Sequence, residues 1–124
     1  MQINSIQEWL ESFGEPVAET AFPPRDKKGN PNRISAPFIV YLDNADVDGS
    51  DDCNLYTSHD LTIERYSKDG NNASFDSFLW RSGLHFSRSK KWLSSEQLYM
   101  TVYNIKEEII IKNGVDQNGN GCQS

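Results

Sequence analysis

Residues 92–105 constrain the fold more than any other part of the sequence, because they predict a β-strand that is apolar on both faces. Side chains of a strand point alternately to its two faces. Alternation here gives one face Leu98, Met100 and Val102, and the other face Tyr99, Thr101, Tyr103 and Ile105. Each face needs a covering layer. The rest of the chain is predicted to provide only one, which leaves the second face for something else to cover.

Length and charge bound the class of protein. With 124 residues, the chain is predicted to form one domain over residues 1–112, followed by a disordered Asn/Gly-rich tail over residues 113–124. The net charge of −6 argues against nonspecific binding to the outside of a nucleic acid. No apolar run approaches the roughly 20 residues that a membrane span requires, and the N-terminus lacks the features of a signal peptide. A cytoplasmic protein without a membrane partner is therefore expected.

The two cysteines, Cys53 and Cys122, lie far apart in polar segments. In a reducing compartment free thiols are expected, with a disulfide between the two as the alternative. Neither cysteine belongs to a CxxC pair, so the sequence does not support a zinc site.

The chain opens with a well-delimited helix. Ser5 predicts its N-cap, and Glu8 completes a capping box. Gly14 can take the left-handed position after the helix, and Pro16 prevents its continuation. One apolar stripe follows the helical spacing i, i+3, i+4 and i+7 and consists of Ile6, Trp9, Leu10 and Phe13.

A long polar arm over residues 23–36 separates two predicted strands, a short edge strand over residues 16–22 and a strong strand over residues 37–42. Against the single acid Asp26, the arm carries four basic residues: Arg25, Lys27, Lys28 and Arg33. Long loops inside compact domains are often functional. The arm is therefore a candidate partner contact, and a solvated loop is the alternative.

The second half of the chain repeats the pattern of strand and helix. An acidic loop over residues 43–54 precedes a strand over residues 55–66. Asn71 or Asn72 then caps a second helix that ends near Gly83, and a strand over residues 84–91 leads into the segment 92–105, which continues to about residue 111. The apolar stripe of this helix consists of Phe75, Phe78 and Leu79, and Trp80 points away from it. The order α-β-β-β-α-β-β predicts an α+β fold with two helices packed on one face of a mostly antiparallel sheet.

Strand alternation predicts a face of the sheet that is rich in tyrosine. The side chains expected under the helices are Phe38, Val40, Leu42, Leu61, Ile63, Leu98, Met100 and Val102. The opposite face then receives all five tyrosines, Tyr41, Tyr56, Tyr66, Tyr99 and Tyr103, together with Ile39 and Ile105. Because tyrosine is enriched at interfaces, this face is a candidate surface for self-association or a partner, with Trp80 as a further exposed aromatic. A wet surface without a partner is the alternative.

Catalytic and ligand-binding patterns are weak. His59 and His85 are the natural acid–base candidates, but Asp60 points to the opposite face of the strand from His59, and no carboxylate is evident beside His85. There is no G-x-S-x-G motif and no phosphate-binding glycine loop. Residues 44–55 resemble part of a calcium loop, but Leu55 stands where a bidentate Glu is required. The sequence thus predicts no enzyme, no metal and no cofactor.

An ordered set of segments resembles one known family: Trp9-Leu10-x-x-Phe13-Gly14-x-Pro16-Val17-Ala18, Ala21-Phe22, Pro37-Phe38-Ile39-Val40-Tyr41-Leu42, Asn54-Leu55-Tyr56, Leu61-Thr62-Ile63-Glu64-x-Tyr66 and Trp92-x-x-Ser95-Glu96-Gln97-Leu98-Tyr99-x-x-Val102-Tyr103. Together they resemble the small tail-completion and head-tail joining proteins of phages and prophages of Gram-positive bacteria. The resemblance covers roughly residues 5–111. The arm is longer than is usual in that family, and the Asn/Gly-rich tail is an addition.

The resemblance implies a tail terminator, a virion protein assembled in the cytoplasm of the host bacterium. Such proteins form a ring with themselves, usually a hexamer, on the tail tube protein. The ring stops polymerisation of the tube and presents a surface to a head-completion protein, while DNA passes through it without specific binding. The fold implied is α+β, and the family has no catalytic residues to carry over.

The acidic loop is expected to lie at the rim or lumen of such a ring, because a channel for DNA should not hold phosphates. Its acidic residues are Asp43, Asp46, Asp48, Asp51 and Asp52. Two other functions stay open from the sequence. One is a head-closure or adaptor protein of the same assembly, and the other is a small-ligand or enzymatic domain that uses a cleft beside His59 and His85.

Overall fold

A computed structural model describes residues 2–46 and 56–112 of the chain. The elements are β1 (Gln2–Ile3), α1 (Ile6–Glu11), β2 (Val17–Glu19), β3 (Phe38–Asp46), β4 (Tyr56–Ser67), α2 (Ala73–Arg81), β5 (Phe86–Leu93), β6 (Leu98–Ile105) and β7 (Ile109–Lys112). The expected α+β class with a mostly antiparallel sheet is confirmed. The tail over residues 113–124, Cys53 and Cys122 lie outside the described residues.

The sheet is organised around β4, its longest strand. One edge of β4 pairs with β3 along the full length of β3. The other edge is shared, because the first residues of β4 pair with β7 and the last six with β6. The strands β2, β5 and β1 extend the sheet outside β3, β6 and β7 respectively, and only the β1–β7 and β2–β3 pairs are parallel.

The observed order differs from the predicted one at both ends. The two-residue strand β1 was not expected, and the predicted strand over residues 92–111 is wrong. Trp92 and Leu93 end β5, a turn over residues 94–97 follows, and β6 and β7 are separate strands. Gln97 adopts φ 56° in this turn, a left-handed conformation that non-glycine residues rarely take. The turn contains no Gly, Pro or Asn, so the usual sequence signals for a hairpin are missing.

Helix α1 forms as its flanking residues predict. The Ser5 hydroxyl accepts a hydrogen bond from the Glu8 amide at 3.2 Å, and Gly14 has φ 108° just after the helix. The Trp9 ring stacks on Phe78 of α2 at a centroid distance of 5.3 Å. Phe13, beyond the end of α1, packs edge-on against Phe75 at 5.0 Å. The apolar stripe of α1 therefore contacts α2 as well as the sheet.

Of the two residues expected to cap α2, Asn71 provides the side-chain hydrogen bond. Asn72 occupies the N-cap position, but its side chain makes no capping hydrogen bond. The Asn71 carboxamide oxygen instead accepts from the Ala73 amide at 3.2 Å. The Asn72 side chain turns inward and donates to the Thr101 hydroxyl at 2.8 Å, which joins the start of α2 to β6.

The hydrophobic core lies between the two helices and one face of the sheet. Its buried members are Ile6 and Leu10 of α1, Phe75 and Leu79 of α2, Leu84 after α2, and Val17, Ile39, Tyr41, Leu61, Ile63, Tyr103 and Ile109 of the sheet. Of the five core positions predicted in β3 and β4, the three of β3 lie on the opposite face of the sheet, and Leu61 and Ile63 of β4 lie in the core as predicted.

A buried polar cluster around Arg65 of β4 crosses this core. The Arg65 guanidinium binds both carboxylate oxygens of Glu15, with its Nε at 3.0 Å from Oε1 and its Nη2 at 2.7 Å from Oε2. Its Nη1 donates to the Asn71 carbonyl at 2.9 Å and to the Asn72 carboxamide oxygen at 3.0 Å. The cluster thus ties the segment after α1 to β4 and to the start of α2.

We expect Arg65→Ala to lower the free energy of unfolding by about 3–5 kcal/mol, because it leaves the buried Glu15 carboxylate and the Asn72 oxygen without their donor. Arg81→Ala is the matched control. Arg81 is exposed and donates only to the Ser77 carbonyl at 3.4 Å, so its loss should cost less than about 0.5 kcal/mol. Urea denaturation followed by circular dichroism measures both. Equal losses in the two variants would contradict a structural role for the cluster.

Candidate interaction surface

The structure inverts the faces of β3 and β6 relative to the sequence prediction. Tyr41 lies directly opposite Ile63 in the β3–β4 pair, and Ile63 lies directly opposite Tyr103 in the β4–β6 pair. Residues that are opposite in an antiparallel pair share a face of the sheet. Ile63 was correctly expected under the helices, and Tyr41 and Tyr103 are therefore under the helices with it, 6% and 0% exposed.

Tyr103 is the centre of the covered face. Its ring packs edge-on against Phe75 at 5.1 Å and against Phe86 at 5.2 Å. Its hydroxyl donates to the Asp76 carboxylate of α2 at 2.7 Å, so the one polar atom of the ring is satisfied inside the core. Burial, followed by this hydrogen bond and the charge of Asp76, raises the pKa of Tyr103 far above its ordinary value.

The predicted tyrosine face is consequently wrong as a single surface. Tyr41 and Tyr103 belong to the core, as does Ile39, and Ile105 packs against the core. Tyr99 is also on the helix side of β6, where its ring packs on Trp92 at 4.8 Å and comes close to Gly70. Of the five tyrosines, only Tyr66 is placed on the opposite face; the side chain of Tyr56 lies outside the described residues.

The face of the sheet away from the helices carries most of the apolar side chains that the sequence assigned to the core. We call it the open face and define it by Phe38, Val40, Leu42, Tyr66, Leu98, Met100 and Val102. The cross-strand pairs arrange them in rows that run Phe38–Tyr66–Met100 and Val40–Glu64–Val102. The Phe38 ring stacks on Tyr66 at 4.8 Å. Leu61 and Ile63 were also expected under the helices, and the structure confirms this position.

The open face is only partly shielded. Both described helices pack on the other side of the sheet, and Leu42 is 37% exposed. Phe38, Met100 and Val102 are half-buried, and Val40 is buried, with 7% of its surface exposed. Phe22, between β2 and the arm, packs edge-on against Phe38 at 5.6 Å and so covers one corner. Polar side chains share this face: Glu64 accepts a hydrogen bond from the Tyr66 hydroxyl at 2.9 Å, and the register also places Asn44, Asp60, Thr62 and Asn104 here.

The arm over residues 23–36 is an ordered loop that closes on itself. Asp26 organises its tip, with one carboxylate oxygen accepting from the amides of Lys28 at 2.9 Å and Asn30 at 3.0 Å. Arg25 donates to the Gly29 carbonyl at 2.8 Å, and Asn32 donates to the Pro23 carbonyl at 3.0 Å. The basic residues Arg25, Lys27, Lys28 and Arg33 are all exposed. The arm is therefore a preformed basic projection that begins beside the open face at Phe22.

The acidic loop begins later than expected, because β3 continues to Asp46. Asp43 lies within β3 and contacts the Nδ1 atom of His59 in β4. Asp46 is in the last position of β3, and the side chain of this residue lies outside the described part. Asp48, Asp51 and Asp52 lie outside the described residues altogether.

Both histidines have carboxylate partners that the sequence did not identify. His59 pairs with Asp43 across the β3–β4 ladder, and His85 pairs with Glu107 through both its ring and its amide. The pKa of the Glu107 carboxyl is lowered by these hydrogen bonds. A carboxylate orients an imidazole, but base catalysis also needs a group to deprotonate. Among residues 2–46 and 56–112, the side-chain hydrogen bonds of the two rings go to carboxylates and not to a hydroxyl.

Trp80 and a cavity beside Arg65 are the other features of the described residues that could form a site. Trp80 is 56% exposed as expected, but it packs on His85 and Phe86 on the helix side and does not extend the open face. A cavity of about 560 Å³ lies beside Arg65 and Glu15, whose charges already neutralise each other. The part of the chain that the structure describes contains no cluster of three metal-ligating side chains. It also contains no helix long and apolar enough to cross a membrane.

Comparison of the chain with family models, with curated proteins and with solved structures gave no match.

The position of Tyr41 under the helices has a consequence at alkaline pH. Burial, together with the nearby charges of Glu19 and Asp43, raises the pKa of Tyr41 to about 12 from the ordinary value of 10.0. The folded state therefore holds this proton more tightly than the unfolded state. The resulting contribution to stability is complete below pH 10 and is lost as the pH rises from about 10 to about 12.

We expect Tyr41→Phe to remove the contribution of this one titrating hydroxyl to the pH dependence of the free energy of unfolding. The free energy of unfolding should then fall less steeply than in the unmodified protein, by up to about 1.4 kcal/mol per pH unit between pH 10 and pH 12. Urea denaturation at several pH values measures the slope. An unchanged slope would place the Tyr41 hydroxyl in water and contradict the assigned face.

Proposed function

We propose that this chain is a structural subunit of a phage tail, a tail terminator that forms a ring and uses the open face of its sheet as an assembly interface. The observation that carries the proposal is an apolar sheet face with both described helices on its other side. The similarity of residues 5–111 to tail-completion proteins gives this interface its expected setting.

The composition of the open face favours a protein partner over water. Phe38, Met100 and Val102 retain exposed apolar surface, and burial of such a side chain contributes on the order of 1 kcal/mol. Aromatic and methionine side chains are enriched at the centres of protein interfaces, where charged residues are depleted. Two acids of β4 share this face: Glu64, whose carboxylate the Tyr66 hydroxyl binds, and the exposed Asp60 nearer the start of the strand.

The basic arm and the acidic side chains can also contact other components of such an assembly. The arm presents Lys27 and Lys28 on an ordered loop, which lowers the entropy cost of binding a partner. Because the chain carries a net charge of −6, this basic projection is a candidate contact for an acidic neighbouring subunit or for the tail tube protein. Of the aspartates assigned to the acidic loop, Asp48, Asp51 and Asp52 follow β3 in the sequence and are proposed to line the rim or lumen, where they would keep DNA from adhering.

Electron microscopy of phage tails made with and without this protein tests the function. A terminator predicts overlong tail tubes in its absence. Tails of normal length on heads that leak DNA would instead assign the chain to head closure. Normal tails joined to normal heads would contradict both structural functions.

We expect Met100→Asp to abolish assembly while leaving the fold intact, because it places a charge in the row formed by Phe38, Tyr66 and Met100. Trp80→Asp is the matched control, since it also replaces an exposed apolar side chain by a carboxylate but lies on the helix side. Circular dichroism checks the fold, and complementation followed by tail-length measurement checks function. Met100→Asp should give overlong tails and Trp80→Asp normal ones. Normal tails with folded Met100→Asp protein would contradict the open face as the interface.

A further inference from the structure

Within the described residues, two open stretches of strand edge at opposite sides of the sheet, on β5 and on β3, differ in charge. The strand β5 pairs with β6 on one side and, within the described residues, with no strand on the other. At the far end of the sheet, β2 covers β3 only along Ile39, Val40 and Tyr41. From Leu42 to Asp46, the outer edge of β3 has no described strand beside it. Unpaired strand edges are templates for pairing with another chain.

Backbone alternation identifies the unpaired groups of β5. The Lys106 amide donates to the His85 carbonyl at 2.9 Å, so the backbone groups of His85 point toward β6. Successive residues of an antiparallel strand point their backbone groups to alternate sides. The amides and carbonyls of Phe86, Arg88, Lys90 and Trp92 therefore point to the free side of β5.

The same alternation applies to β3. The Ile39 amide donates to the Pro16 carbonyl at 2.8 Å, and the Tyr41 carbonyl accepts from the Thr20 amide at 2.9 Å, so both residues face β2. The next residues of β3 on this side are Asp43 and Ala45. The neighbouring chain turns away after Thr20, which has φ 66°, and leaves this stretch of edge open.

The charges of the two edges are complementary. Over Ser87–Lys91, β5 carries Arg88, Lys90 and Lys91 and no acid. Arg88 is paired with Asp76, while Lys90 reaches only the Gly70 carbonyl, at 3.3 Å, and the face of the Tyr99 ring. Two lysine charges thus stay uncompensated by these contacts. The open stretch of β3 carries no base and two acids, Asp43, whose carboxylate contacts the His59 ring, and Asp46 at the end of the strand.

We propose that these edges bind each other head to tail: the free edge of β5 in one copy pairs with the edge of β3 at residues 42–46 in the next copy. This inference rests on the proposed ring. Like charges would oppose pairing of β5 with a second β5, whereas the acidic edge of β3 attracts it. A contact between two different surfaces repeats from copy to copy and closes a ring when the rotation permits.

Strand direction fits such a contact. Three antiparallel pairings, β3–β4, β4–β6 and β6–β5, separate the two edges, so β5 runs antiparallel to β3 within one copy. A neighbour related by rotation about an axis along the strands keeps this direction and presents its β3 antiparallel to β5. The joined sheets then place the open faces of successive copies on the same side. The open faces then form one apolar surface that continues around the ring.

Disulfide trapping tests the pairing. Ser89 and Asn44 are both exposed and both on the open-face side of their strands. The proposed pairing sets Lys90 opposite Asp43, and this register brings Ser89 directly opposite Asn44. In a background of Cys53→Ser and Cys122→Ser, we mix Ser89→Cys with Asn44→Cys protein, oxidise at increasing concentration with and without tail tubes, and analyse by denaturing electrophoresis. The matched control mixes Asn44→Cys with Ser77→Cys, an exposed position on α2.

We expect heterodimers in the first mixture, at least tenfold more abundant than in the control, and a ladder of oligomers from the protein that carries both Ser89→Cys and Asn44→Cys. Homodimers of Ser89→Cys alone would show two β5 edges paired and overturn the proposal. Absence of heterodimers above the control level would overturn it as well. In that case, overlong tails without the protein would still establish a terminator that closes its ring by other contacts. Failure of the edge pairing is thus distinguishable from failure of the proposed function.

Discussion

The pairing of β4 with β3 on one side and with β6 on the other determines which side chains of the sheet lie under the helices. Because Ile63 lies between Tyr41 and Tyr103 in the same cross-strand row, the three side chains must share a face of the sheet. The helices cover that face, and the alternate side chains of all three strands are turned to the other one. A shift of register by a single residue would exchange the two faces of a strand and expose its present core.

The covered face is specified by polar contacts as well as by apolar packing. Tyr103 can lie fully buried because Asp76 accepts its hydroxyl proton, and Arg65 can lie buried because Glu15, Asn71 and Asn72 satisfy its guanidinium. Such contacts fit only one arrangement of helices on the sheet. The polar contacts of the open face are the Tyr66–Glu64 hydrogen bond and an exposed contact between Thr62 and Asn104 at 3.4 Å, and neither involves a helix. This difference between the faces is why we interpret the second as an interface.

Local signals in the sequence sufficed for part of this fold. The first helix is delimited by Ser5 and Gly14, and strand propensity located most of the sheet. The assignment of faces failed where a strand is apolar on both sides, because alternation separates Phe38 and Val40 from Ile39 and Tyr41 without indicating which set meets the helices. Only β4 has a clear polar side, with Thr62 and Glu64 opposite Leu61 and Ile63, and it was assigned correctly. The faces of β3 and β6 can be assigned from their pairing with β4 only if the register is known. The register depends on contacts between residues far apart in the chain. The His59–Asp43 pair, separated by 16 positions, was missed for the same reason.

We expect the open face to become buried when the protein assembles. Oxidative footprinting of the free protein and of the protein bound to tail tubes measures this directly, with mass spectrometry of Met100 on the open face and Trp80 on the helix side. We predict that Met100 is oxidised in the free protein and becomes protected at least severalfold on assembly, while Trp80 stays reactive. Unchanged oxidation of Met100 in assembled protein would contradict the account.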